Sequence, residues 1–127
     1  MATAILVNEL EQNAIELIKV LDEKKFVFTV AALMKNEDQE DWRLVLGIPG
    51  IRTTGSRDSL TQINNIIEEN SLKISLYDII LVDDQDRVLS LLRLKFNTGK
   101  EISRIILSGN YFNGVRIPDS IIYRVAG

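Results

Sequence analysis

Phe26-Val27-Phe28-Thr29-Val30-Ala31-Ala32-Leu33-Met34 is the stretch on which the fold turns. Aromatic and β-branched residues crowd its first half. Phe26, Phe28, Val30, Ala32 and Met34 alternate with Val27, Thr29, Ala31 and Leu33. A half-exposed strand would carry a polar residue at every second place, and this one carries almost none. Both of its faces are therefore expected to be covered, or the strand to be internal to its sheet. The polar, acidic run Lys35-Asn36-Glu37-Asp38-Gln39-Glu40-Asp41 follows, after which Trp42, Leu44, Leu46 and Ile48 alternate with Arg43, Val45 and Gly47. Two strands joined by such a connection predict an antiparallel hairpin.

Upstream, Leu6, Leu10, Ala14, Leu17 and Leu21 recur at spacings of three and four with Ile18 beside them. That stripe predicts an amphipathic helix from Thr3 to Asp22, with Thr3 supplying the N-cap oxygen. Downstream, Gly47 to Ser56 is the one Gly/Pro-rich stretch, and Ser56 or Thr54 can cap a helix running to Asn70 on the apolar face of Leu60, Ile63, Ile66 and Ile67. Ile79-Ile80-Leu81-Val82 reads as a short strand buried on both faces.

Residues 86–96 admit two readings. As a helix capped by an aspartate, Val88, Leu89, Leu92 and Phe96 share a face; as a strand, Val88, Leu92, Leu94 and Phe96 alternate with Arg93 and Lys95. The density of Leu, Arg and Lys favours the helix. A strand begins at Ile105-Ile106-Leu107-Ser108. Asn113-Gly114 then predicts a type I′ turn between Tyr111-Phe112 and Val115-Arg116-Ile117. Pro118 removes a ladder donor, so that strand is expected at an edge or broken there, resuming at Ile121-Ile122-Tyr123-Arg124-Val125. The order α-β-β-α-β-α-β-β predicts an α+β fold over 1–127 as one domain: a single mixed sheet of about five strands with two to three packed helices.

The closing residues Asn113-Gly114-Val115, Ile117-Pro118-Asp119 and Ile122-Tyr123-Arg124, together with Trp42-Arg43 in the second arm of the hairpin, resemble a family of small uncharacterised prokaryotic α+β proteins that end in an Asn-Gly…Tyr-Arg hairpin. The resemblance implies the same α+β class and brings no activity with it.

Composition narrows the chemistry. The 127 residues contain neither histidine nor cysteine. That removes the commonest general base, the thiol nucleophile and the usual ligands of zinc, haem and iron–sulfur centres. A net charge of −3 with no basic run disfavours nucleic acid as a partner. The N-terminus lacks the pattern of a secretory signal and no apolar run is long enough to span a bilayer, so the bacterial cytoplasm is the expected location.

Three groups of residues invite a functional reading. Arg52, Thr53, Thr54, Gly55, Ser56 and Arg57 follow Gly50 and precede a helix start, an arrangement that could bind an anion such as phosphate. The lysine of a nucleotide-hydrolysing P-loop is missing from it. Asp83, Asp84 and Asp86 follow an apolar strand and are candidates for a metal ion in carboxylate-assisted phosphoryl transfer, though they lack the spacing of an EF-hand. Tyr111, Phe112, Arg116, Tyr123 and Arg124 place aromatics beside arginines, a composition favoured at protein interfaces.

No serine stands three residues before a lysine as a Ser–Lys nucleophile would require, Ser71-Leu72-Lys73 being one residue short. The order of acids and lysines does not fit a restriction-type nuclease. The expectation is a non-catalytic interaction or assembly module without a cofactor, contacting another protein or itself as a homodimer. An anion-binding domain is the alternative, and metal-dependent phosphoryl transfer the third reading.

Overall fold

The computed structural model describes residues 2–36, 38 and 40–126, with side chains from Val7 onward. Its fold is α+β. A long helix α1 (Ala2–Glu23) leads into the hairpin β1 (Val30–Asn36) and β2 (Asp41–Ile48). Next come a single turn of helix α2 (Ile51–Thr54), helix α3 (Arg57–Glu69), a 3-10 turn (Leu76–Asp78) and β3 (Ile79–Asp83). Helix α4 (Arg87–Lys95) precedes β4 (Ile105–Leu107), the ribbon β5 (Tyr111–Phe112) and β6 (Val115–Arg116), and finally β7 (Ser120–Val125). The five-stranded sheet has the order β3-β2-β1-β7-β4, and β5-β6 forms a separate two-stranded ribbon. Only the β2–β3 pair is parallel, which makes the sheet mixed.

β1 lies in the middle of the sheet, as its two apolar faces required. Ala31 and Leu33 enter the core under α1 and α3, while Val30 and Ala32 enter a second core under α4. In β2, Leu44, Leu46 and Ile48 join the first core and Val45 joins the second. The expected stripe of α3 is buried at Ile63, Ile66 and Ile67. Residues 87–95 are helical, with Asp86 Oδ2 accepting the Val88 N–H at 3.1 Å and Leu89 and Leu92 buried against the sheet. Gly47 makes close packing of α4 possible. A Cβ there would stand 2.8 Å from Leu89 Cδ1 and 3.1 Å from Val30 Cβ, so any larger side chain must push the Leu89 side chain out of its place.

Two arginines clamp α1 to the sheet. Glu11 receives the Arg104 guanidinium at 2.5 and 3.2 Å, and Asp22 receives that of Arg124 at 2.6 and 2.8 Å. Eleven residues are about three helical turns, so both acids present on one side of α1. A β-bulge makes the second clamp possible. The β1–β7 register shifts between Ala31 and Ala32, pairing Ala31 with Arg124 but Ala32 with Ile122. The extra residue puts the neighbours Tyr123 and Arg124 on the same face, towards α1, where plain alternation would separate them.

The structure corrects several expectations. β1 begins at Val30, leaving Phe26 and Phe28 in the preceding connection. Helix α1 already includes Thr3, so that residue is not the cap; Glu37 of the acidic loop lies outside the described residues. β3 is an edge strand and is not covered on both faces: Ile80 is 37% exposed. The final strand does not continue the Asn-Gly hairpin. After Pro118 the chain leaves the ribbon, and β7 enters the large sheet between β1 and β4. The turn itself is as expected, with Asn113 at φ 51° and Gly114 at φ 76°. No helix among the described residues is long and apolar enough to cross a membrane.

Candidate functional site

β2, β3 and β7 all run antiparallel to β1 or parallel to a strand that does, so their carboxyl ends lie together beside the start of β1. Loops gather at this end of the sheet, as they do wherever parallel strands stop at a common edge. The loop after β2 and the turn after β3, far apart in sequence, share a cleft of about 440 Å3 lined by Arg52, Gly55, Ser56, Asp83 and Asp86.

Within that cleft the Asp83 carboxylate and the backbone amides satisfy one another. The Arg52 N–H at the start of α2 donates to Asp83 Oδ2 at 2.9 Å, and the Thr53 and Thr54 amides both return to the Gly50 carbonyl. The place an incoming anion would take at this helix turn is filled by the chain's own carboxylate. Asp83 Oδ1 accepts the Gln85 amide at 2.8 Å. That bond first, then the one from Arg52, holds the Asp83 carboxyl below the usual carboxylate range. Asp84 is buried, where its Oδ2 accepts from Thr29 Oγ1 at 3.1 Å and lies 3.4 Å from Arg93 Nη1. Asp86 caps α4.

The three aspartates thus serve three separate local tasks, and among the described residues no group of three acidic side chains is placed to hold a metal ion. Ser56 occupies the N-cap position of α3 without a side-chain cap bond, and Thr54 lies inside α2, where its hydroxyl turns back to Gly50 O at 3.2 Å. Arg57 is exposed at the first turn of α3.

The aromatic–arginine group divides. Tyr111 is exposed on the small ribbon with Arg116 over its ring, while Phe112 packs on Phe96 at 6.2 Å in the second core. Tyr123 and Arg124 are corrected from interface candidates to buried residues of a central strand. Burial, and next the Glu11 charge beside it, push the Tyr123 phenol well above its ordinary value. Arg124 is held by Asp22, by the Lys100 carbonyl and against the Phe28 ring at 4.9 Å.

A second feature of the same end carries apolar surface. Between α1 and β1 the chain forms a ridge, Lys24-Lys25-Phe26-Val27, in which Lys25 adopts φ 59° and Val27 is 67% exposed. A cleft of about 530 Å3 opens on one side, towards Pro49 and Gln62, and one of about 630 Å3 on the other, towards Phe28, Lys100 and Arg124. Both clefts are lined by Lys25, Phe26 and Val27. The Arg124–Asp22 pair builds the wall of the second cleft, and the lysines rim the apolar strip. None of the ridge residues stood out in the sequence as a site. Phe26 and Val27 read there as the opening of a strand, and the signal that separates them is the pair of lysines immediately before.

Comparison of the chain with family models, curated proteins and solved structures finds no match. The likeness of its closing residues to small prokaryotic proteins rests on those motifs alone.

Proposed function

We propose that this protein acts by contact, binding a protein partner through the Lys24–Val27 ridge. The observation that carries the reading is Val27, an aliphatic side chain 67% exposed at the crest between two clefts. A single exposed aliphatic residue is ordinary on a protein surface. This one is continuous with Phe26, flanked by concave surface on both sides and rimmed by lysines, which is how an interface core with a polar rim is arranged. The chemistry of the ridge fits a partner surface that is apolar at its centre and acidic at its edge. The neighbouring polar cleft contributes rigidity: its carboxylates and amides are already paired, which weighs against the anion-binding and metal-dependent readings of the same residues.

The test is a photo-crosslinking residue placed at Val27 and, as a control, at Gln12 on the exposed side of α1, in cells producing the chain. Val27 is expected to give a discrete covalent adduct that Gln12 does not. No adduct at Val27, or equal labelling at both positions, overturns the proposal.

A further inference from the structure

We infer that the partner of the ridge is a second copy of this chain, received head to tail in a groove at the opposite end of the sheet; this rests on the ridge being a contact surface. The groove lies where the start of α1 passes the β1–β2 connection. Val7, Leu10, Trp42 and Tyr77 line a hollow of about 290 Å3. Glu40, Asp41 and Asp78 complete it.

Tyr77 is 70% exposed, with the Arg43 guanidinium 4.4 Å from its ring centre. Arg43 also meets Asp41 Oδ2 at 3.4 Å, while Asp41 Oδ1 is buried with no hydrogen-bond partner among the described residues. A carboxylate oxygen withdrawn from water and left without a donor is unfavourable, and an ammonium group brought to it would relieve the cost.

Ridge and groove are complementary in kind. The ridge offers two lysines, with Glu69 the one acid of its first cleft, followed by Phe26 and the exposed Val27. The groove offers three carboxylates around an apolar, aromatic wall, of which Asp78 also accepts from Ser75 and Asp41 also pairs with Arg43. Lys100 adds positive charge beside the ridge, where Asp22 is already engaged by Arg124. The groove holds one arginine against its three acids. β1 runs from the ridge to the groove, so the two surfaces stand at opposite ends of one rigid strand. A contact between them is heterologous: each copy uses a different patch from its neighbour and leaves one patch of each kind free for the next. Such an assembly grows with concentration, and because its rim is charged it weakens with salt.

The experiment uses the purified full chain, with mass read by sedimentation velocity. The wild type is expected to rise past the mass of a dimer as concentration rises, and to return towards monomer as salt is added. Val27→Asp spoils the ridge and leaves the groove; Glu40→Lys combined with Tyr77→Ser spoils the groove and leaves the ridge. Thermal unfolding verifies that both variants fold. Each alone is expected to remain monomeric, and an equimolar mixture to form a 1:1 dimer and nothing larger.

A wild type that stays monomeric at its highest soluble concentration, a single variant that assembles like the wild type, or a mixture that fails to pair overturns the inference. Should the Val27 photo-adduct contain a different protein while the pure chain is monomeric, the self-association falls and the ridge reading stands. Absence of any adduct removes both.

Discussion

Two clefts at one end of the sheet differ in how their groups are used. In the Arg52–Asp83 cleft and the turn behind it the carboxylates have partners within the chain: Asp83 holds two backbone amides, Asp84 holds Thr29 and Arg93, and Asp86 caps α4. At the Phe26–Val27 ridge Asp22 and Arg124 pair with each other, but apolar surface is left uncovered. Carboxylates beside a glycine loop draw the eye in a sequence as chemistry. Here they hold a sheet end together, and the side chain of the ridge left without an internal role is the aliphatic Val27.

The difference can be broken from the scaffold side first. Asp22→Ala strands the Arg124 guanidinium, only 4% exposed, without its carboxylate. A loss of about 3 kcal/mol is expected, at the lower end of the range for broken buried pairs because Asp22 itself is partly exposed. Chemical denaturation would measure it. Gly47→Ala drives a Cβ into Leu89 and Val30 and is expected to cost about 2 kcal/mol by the same measurement. Asp84→Ala leaves Thr29 and Arg93 without their acceptor and should cost about 1–2 kcal/mol. If that cleft is scaffold, phosphate, sulfate, nucleotides and magnesium leave the melting temperature of the wild type unchanged. A clear rise with any of them would return the cleft to the list of binding sites.

Much of the architecture was legible in the chain, and the reasons are local. The double apolar alternation read over 26–34 placed β1, at 30–36, in the sheet interior, and the apolar stripe marked α3. The leucines after Asp86 favoured the helix over the strand that the same residues allowed for α4. What escaped was long-range. Nothing in Ile79-Ile80-Leu81-Val82 says that no strand pairs with its outer side, and nothing in Tyr123-Arg124 announces the bulge that turns both towards α1. The site residues were less legible still. Arg52 and Asp83 are 31 positions apart, and their hydrogen bond exists because β2 and β3 end side by side. Phe26 and Val27 look like strand residues until the connection after α1 places them outside the sheet.

Smaller effects sharpen the same contrast. Arg104 holds the Glu11 carboxyl below its ordinary value. The folded-state pKa is therefore depressed, so the pair stabilises the fold above the unfolded value of about 4.3 and that contribution is lost as pH falls through the lower folded value. Glu11→Gln is expected to flatten the acid limb of a stability–pH profile, and an unchanged acid limb would show that this clamp adds nothing. Val27→Asp should have the smallest effect on stability, within about 0.5 kcal/mol of wild type, since the side chain is largely in solvent. A large loss of stability there would mean that Val27 belongs to the scaffold.

The most direct comparison places the same photo-crosslinker at Val27, on the ridge, and at Ser56, in the polar cleft, and reads both by adduct mass. The account predicts a discrete protein adduct at Val27 and none at Ser56. An adduct confined to Ser56 would contradict it.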